Sequence, residues 1–246
     1  MRLAFFSDVH GNAEALEAIL TEASDMNIDQ YICLGDMVGY GADPNVCVER
    51  IRSLHDIYCV LGNHDNAAVC SESVYNMTKA ATLAIFQTRK MLSGENIYFI
   101  QKLPPIMRMH DMIFAHGTPY NPLEWHYTFH RNNVAKSFQC TGEKYIFVGH
   151  THIPRLITRK NMFAIGFETP YADSIYYVGG SKRFLINCGS VGQPRDGDPR
   201  ASYVIFDSEN GTIMFRRVAY DYKNAARKIR EAGFPDSLAA RLSKGL

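Results

Sequence analysis

Five short apolar runs in this chain each stop at residues that bind metals. Leu3-Ala4-Phe5-Phe6 runs into Ser7-Asp8-Val9-His10-Gly11-Asn12, and Tyr31-Ile32-Cys33-Leu34 into Gly35-Asp36. Ile57-Tyr58-Cys59-Val60-Leu61 meets Gly62-Asn63-His64-Asp65, Met112-Ile113-Phe114-Ala115 meets His116-Gly117, and Tyr145-Ile146-Phe147-Val148 meets Gly149-His150-Thr151-His152. Such runs, bounded by glycine and turn residues, read as buried strands. Side chains two apart on extended backbone share a face, so Asp8 with His10, and His150 with His152, are expected to point at one place. In open α/β sheets function gathers at the carboxyl ends of parallel strands, which is where these residues fall if the strands run parallel. Carboxylate and imidazole donors together suit a divalent first-row transition metal.

The segments between the runs fill in the architecture. Asn12 is placed to cap a helix with Leu16, Ile19, Leu20 and Ala23 on one face, and Asp43-Pro44 forms a cap and first turn for a helix carrying Cys47, Ile51 and Leu54. A longer helix is expected from Ser73 to about Leu92, and a basic one from about Lys223. After Pro104-Pro105 short strands dominate, with a tight turn at His110-Asp111. A strand–helix–strand first half and a β-rich second half, with no internal repeat or long linker, predict one domain over residues 1–246 of α/β (α+β) class.

At 46% hydrophobic residues the chain can bury a full core, and its 26 Lys and Arg against 25 Asp and Glu leave a formal charge of +1. That balance supplies no basic field for extended nucleic-acid binding. No apolar run is long enough for a bilayer, and the first is too short for a signal peptide, so a cytoplasmic protein without a membrane partner is expected. The six cysteines contain no Cys-x-x-Cys pair and read as buried free thiols.

Taken in order, the five blocks resemble those of the calcineurin-like metallophosphoesterases. The stretches Gly35-Asp36-Met37-Val38-Gly39-Tyr40-Gly41 and Asn187-Cys188-Gly189-Ser190-Val191-Gly192-Gln193-Pro194-Arg195 further resemble the small prokaryotic phosphodiesterase-like branch. The resemblance implies a four-layer αββα sandwich, two mixed β-sheets flanked by helices, around a dinuclear centre. Asp8, His10, Asp36 and His152 would hold one ion, and Asp36, Asn63, His116 and His150 the other. Asp36 is then the bridge, as two cations about 3.5–4 Å apart require a shared anionic ligand. The absence of thiolate ligands points to two divalent ions among manganese, iron, zinc, cobalt and nickel. The expected reaction is attack of a metal-activated hydroxide on a phosphodiester, nucleotide diesters included, with His64 as the catalytic acid or charge stabiliser.

One departure shapes the substrate expectation. Many protein phosphatases of the superfamily continue Gly-Asp-x-x-Asp-Arg, where the aspartate supports the catalytic histidine and the arginine grips phosphate. Here those positions hold Gly39 and Tyr40, which leaves His64 without the usual carboxylate and disfavours a serine/threonine phosphatase. Tyr40 and Arg195 are candidate substrate contacts, as are Arg200 and the 189–192 loop, each otherwise a surface charge or a plain turn. Trp125 lies in the aromatic and basic stretch 120–131, either a lid that stacks on a nucleobase or, with Phe129 four residues on, the core face of a short helix. The competing functions are a dinucleoside polyphosphate hydrolase, a phosphomonoesterase, and a non-enzymatic protein-binding scaffold on the same fold.

Overall fold

The computed structural model describes residues 1–70, 77–161 and 164–246. Its first sheet runs, in spatial order, β3 (Ile57–Cys59), β2 (Gln30–Cys33), β1 (Arg2–Phe6), β11 (Ala201–Asp207), β12 (Thr212–Val218) and β9 (Ile175–Tyr177). The second runs β4 (Ile106–Met109), β5 (Met112–Ala115), β6 (Tyr145–Val148), β10 (Arg183–Asn187), β7 (Arg155–Arg159) and β8 (Ile165–Glu168). Strands β1, β2 and β3 pair in parallel, and so do β5, β6 and β10. Each sheet therefore holds a parallel triplet whose carboxyl ends can supply side chains to one edge, the remaining pairings being antiparallel.

The inner faces of the two sheets pack on each other through Leu3, Phe5, Ile32, Leu34, Phe114, Phe147, Ile186, Val204 and Phe206, with the Phe5 and Phe147 rings stacked. Fully burying each such side chain contributes about 1.5–3 kcal/mol. The outer face of the first sheet is covered by α1 (Ala13–Ser24) and α2 (Pro44–Arg52), whose Leu16, Ile19, Cys47 and Ile51 join Ala4, Phe6 and Tyr203. The outer face of the second sheet receives Val134 and Phe138 of α6 (Arg131–Cys140). The result is the expected αββα sandwich.

Helix α1 begins where Asn12 accepts the Ala15 N–H at 3.1 Å. Helix α2 has its proline in the first turn, but Asp43 makes no cap bond; its carboxylate pairs instead with Lys228 of α7 (Tyr222–Glu231) at 2.8 Å. A long-range cation has taken the oxygen that local pattern assigned to the cap. The expected helix from Ser73 appears as α4 (Lys79–Met91), capped by Thr78; residues 73–76 of that expectation lie outside the described residues. Four helices among the described residues that short-range pattern did not reveal are α3 (Asn63–Val69), α5 (Gly94–Gln101), α6 and α8 (Asp236–Ala240). Cys33, Cys47, Cys59 and Cys188 are buried as thiols, but Cys70 and Cys140 lie at the surface, contrary to the expectation for all six.

Candidate metal centre

The seven residues singled out as ligands converge at the carboxyl ends of the two parallel triplets. Imidazole Nε2 of His10 lies 3.2 Å from Nε2 of His152, 3.8 Å from Asp8 Oδ1 and 3.7 Å from Asp36 Oδ2. Nε2 of His116 lies 3.3 Å from Asp36 Oδ2 and 3.1 Å from Asn63 Oδ1. Ligand-type atoms of Asp8, His10 and His152 form one cluster, those of Asp36, His116 and His150 a second, and those of His10, Asp36 and His64 a third between them. All of these histidines and aspartates are buried.

They do not converge in the way that strand alternation predicts. Strand β1 ends at Phe6 and β6 at Val148, before any ligand. Asp8 (φ 56°), His10 (φ 52°), Asp36 (φ 55°), His150 (φ 66°) and His152 (φ 60°) all hold left-handed backbone, a region that L residues other than glycine, Asn and Asp seldom occupy. The chain coils back at the ends of β1, β2 and β6 rather than continuing extended.

Hydrogen bonds orient each side chain from behind. Asp36 Oδ1 accepts the His64 N–H at 2.8 Å, one of the amides that open α3, and Asp8 Oδ2 accepts the His150 N–H at 3.0 Å. The other oxygens, Asp36 Oδ2 and Asp8 Oδ1, are buried and accept no hydrogen bond. Carbonyls of Val38, Leu34 and Gln193 lie 3.1, 2.8 and 2.6 Å from Nδ1 of His10, His116 and His152. A proton on each Nδ1 satisfies those carbonyls and, in the neutral ring, leaves the Nε2 lone pair facing inward. His150 Nε2 is likewise buried without a partner.

Electrostatics follow from this enclosure. Burial opposes ionisation of Asp8 and Asp36, yet the facing imidazoles, His152 for Asp8 and His116 for Asp36, hold both below the usual carboxylate range. Burial depresses His64 to about 4 and His150 to about 3. His116 goes the other way: burial would lower it, but Asp36 and Asp8 hold it up to about 9. Two buried carboxylates and four imidazoles gathered with open inward-facing atoms are a donor set that a divalent cation completes.

The departure at positions 39 and 40 has a physical consequence. Gly39 adopts φ 136°, and a Cβ there would stand 2.5 Å from His64 Nδ1. No carboxylate holds that nitrogen, which is buried and without a hydrogen bond. The His64 ring is instead packed by Tyr40 at 4.4 Å and by His10 at 4.8 Å between centroids.

Two supporting residues were not visible as such in the sequence. Asp65 is fully buried; its Oδ1 accepts the Val38 N–H and its Oδ2 the Gly62 N–H, each at 3.2 Å, which ties the second block to the third. Burial, then the Asp36 charge, raises it to about 7. Its place three residues after Gly62 is the helix position whose side chain reaches back to the cap, and that was the available signal. Asn187 donates to the Gly149 carbonyl at 2.6 Å and to Thr151 Oγ1 at 2.9 Å, holding the turn that carries His150 and His152.

The remaining candidates separate. Arg195 donates to Gln193 Oε1 at 3.1 Å and to the Tyr40 hydroxyl at 3.4 Å, beside the centre. Arg200 instead pairs with Asp198, and the 189–192 loop braces strand β1's end, with Ser190 donating to the Asp8 carbonyl and Gly192 N–H to the same oxygen. Trp125 is not on a helix: it has φ 53°, follows a single 3-10 turn (Pro122–Glu124), and meets the His116 ring edge-on at 6.0 Å, while Phe129 is exposed. Tyr127, not singled out individually, stacks on His150 at 4.2 Å and 11°.

A two-sheet sandwich with clustered aspartates and histidines at its parallel strand ends is the metallophosphoesterase arrangement. Residues 1–211 match the calcineurin-like phosphoesterase superfamily domain, and the chain belongs to that family. It is 40% identical over 247 residues to an uncharacterized protein, MJ0912, of Methanocaldococcus jannaschii, covering 99% of this chain and 98% of that one. A crystal structure of a metallophosphoesterase from Sphaerobacter thermophilus is 39% identical, with a TM-score of 0.89 over 100% of this chain and 99% of that one. The fold also matches the hypothetical protein PH1004 of Pyrococcus horikoshii, with a TM-score of 0.79 at 18% identity over 100% and 98% of the two chains. No helix among the described residues is long and apolar enough to cross a membrane.

Proposed function

We propose that the protein is a metal-dependent hydrolase of phosphodiester bonds, with nucleotide diesters as the favoured substrates. The observation that carries this reading is the pair of buried carboxylates, Asp8 and Asp36, each with one oxygen fixed by a backbone amide and the other open toward a ring of imidazoles. Asp8, His10, Asp36 and His152 would hold one divalent ion, and Asp36, Asn63, His116 and His150 a second. Bound there, such ions neutralise phosphate oxygens and lower the pKa of water to near neutrality.

The chain's own residues do the rest. Carbonyl-anchored Nδ1 atoms keep His10, His116 and His152 from rotating, so their Nε2 atoms need no reorganisation when substrate arrives. His64, neutral at pH 7 because burial depresses it, offers one N–H and one lone pair, and would give that N–H as a hydrogen bond to charge developing on the leaving oxygen. Gly39 keeps the space beside His64 Nδ1 clear, and Tyr40 walls it off on one side. Trp125 and Tyr127, which border His116 and His150, present aromatic surface on which a base can stack, an interaction of about 1–3 kcal/mol. The test is turnover by chelator-treated protein resupplied with single metals on bis(p-nitrophenyl) phosphate, p-nitrophenyl phosphate, diadenosine tetraphosphate and a nucleotide diester. Metal-restored activity that is highest on diesters supports the reading, and no turnover with any metal returns the fold to a scaffold role. Tyr127→Ala and Trp125→Ala should each lower kcat/KM for the nucleotide diester about tenfold and spare bis(p-nitrophenyl) phosphate.

A further inference from the structure

The C-terminal segment brings a second arginine to the rim of the centre. Arg241 follows α8 (Asp236–Ala240), and its guanidinium carbon lies 4.7 Å from the centroid of the Tyr40 ring; that of Arg195 lies 5.8 Å from the same centroid. The ring itself stands 4.4 Å from His64 and 4.5 Å from His10. Two guanidinium groups thus border one tyrosine that touches the catalytic machinery.

Neither arginine has a counter-charge. Nearby Arg200 and Arg217 pair with Asp198 and Asp196, but among the described residues Arg195 and Arg241 form no ion pair. The buried Nε of Arg195, and the buried Nε and Nη2 of Arg241, have no hydrogen-bond partner. Burial, and after it the Arg195 charge, push Arg241 down to about 10. Stacking on Tyr40, with a hydrogen bond to the Tyr40 side chain, accounts for the position of the Arg241 head group but leaves Nε and Nη2 unused. Open buried donors and adjacent like charges both oppose folding, and an anion between them relieves both. The guanidinium fork matches phosphate oxygens in number and plane. Arg241 also lies beyond residues 1–211, the part of the chain that the family domain matches.

We infer that Arg195, Tyr40 and Arg241 form a second anion subsite, which takes a phosphate group carried beside the scissile one. The identity of the scissile phosphate rests on the hydrolase reading above; the subsite does not need turnover to be tested. Two sources share this chemistry: a phosphate linked through a phosphoanhydride, and one carried on the same sugar.

The test is calorimetric titration of the manganese-saturated protein with AMP, ADP and adenosine 3′,5′-bisphosphate. The wild type should bind at least one of the two-phosphate ligands about tenfold more tightly than AMP. An advantage confined to ADP assigns the anhydride linkage, and one confined to the bisphosphate assigns the sugar-borne phosphate. Arg241→Gln and Arg241→Met should abolish the advantage and leave AMP binding within about twofold. Because both remove an unpaired charge, melting temperatures should stay equal or rise, whereas a packing role for Arg241 lowers them. A wild type with no two-phosphate advantage, or variants that lose AMP and ADP affinity equally, overturn the subsite. Absent turnover with the advantage intact sinks the hydrolase reading and leaves the subsite standing; normal turnover without the advantage does the reverse.

Discussion

Asp36 belongs to two of the three clusters and would bridge the two proposed ions. Its free Oδ2 lies within 3.7 Å of His10 Nε2 and 3.3 Å of His116 Nε2, one imidazole from each. Asp36→Asn keeps the size and the acceptor for the His64 amide but removes the charge that two cations would share. Elemental analysis should show at most one retained metal per chain, with turnover down by about 10³-fold or more; two retained metals and near-normal turnover would defeat the bridging role. His64 has a different expected signature. His64→Ala should keep the metal content of the wild type and reduce kcat about 10²–10⁴-fold, the range for a positioned acid–base or charge-stabilising group, and an unchanged kcat removes it from the mechanism. At this scale the candidate ligands were legible, because residue type and the glycine before it are local properties. The dihedral angles that aim them were not.

At the scale of elements, the short turn after each strand is where precision resides. The backbone at Asp8, His10, Asp36, His150 and His152 sits in left-handed conformations that cost about 1–3 kcal/mol each and persist because the hydrogen bonds around them over-determine the turn. Helix α3 contributes the His64 amide to Asp36, and its Asp65 carboxylate accepts the Gly62 N–H as a strap. Gly39→Ala would place a methyl on His64 Nδ1 at φ 136°, so it should lower stability to urea by about 1–3 kcal/mol and displace His64 enough to reduce kcat. Gly94→Ala, where an added Cβ meets nothing within 4 Å, is the control expected to leave both unchanged. Strand and helix periodicity located most elements, but the burial faces of α3, α5, α6 and α8 are set by partners far away in sequence, which a local pattern does not contain.

For the molecule as a whole, the buried titratable cluster makes stability depend on pH and on metal. In the chelator-treated protein, burial holds His64 at about 4 and His150 at about 3, with His10 and His152 also lowered. Between those values and the usual histidine range the unfolded chain binds more protons than the folded one, so stability falls as pH drops below about 6.5. Asp65, raised to about 7, opposes this as a single group, since it is the folded form that holds the proton there. His116, held up to about 9, contributes stability that is complete below about 6.5 and is lost as pH rises through 9. The melting temperature of the metal-free protein should therefore peak near neutrality and decline toward pH 4, and added divalent metal should raise it at pH 7. A profile that climbs steadily on acidification would contradict the buried neutral histidines.

The sequence by itself determined the sandwich class, the strand ends that carry the candidate ligands, and Asp8, His10, Asp36, Asn63, His116, His150 and His152 as those candidates, because hydrophobic period and residue chemistry are written within a few neighbouring positions. It also showed that Gly39 and Tyr40 break the protein-phosphatase pattern. Only the tertiary structure decided that the ligand pairs reach one centre through coiled turns, that Asp65 and Asn187 lock those turns, and that Trp125 lies off any helix while Tyr127 stacks on His150. It alone brought Arg241 within 4.7 Å of Tyr40, some two hundred positions away in the chain. The physical reason is that counter-charge, unsatisfied donors and stacking depend on which distant segments the core packs together, and no local stretch of sequence encodes that neighbourhood.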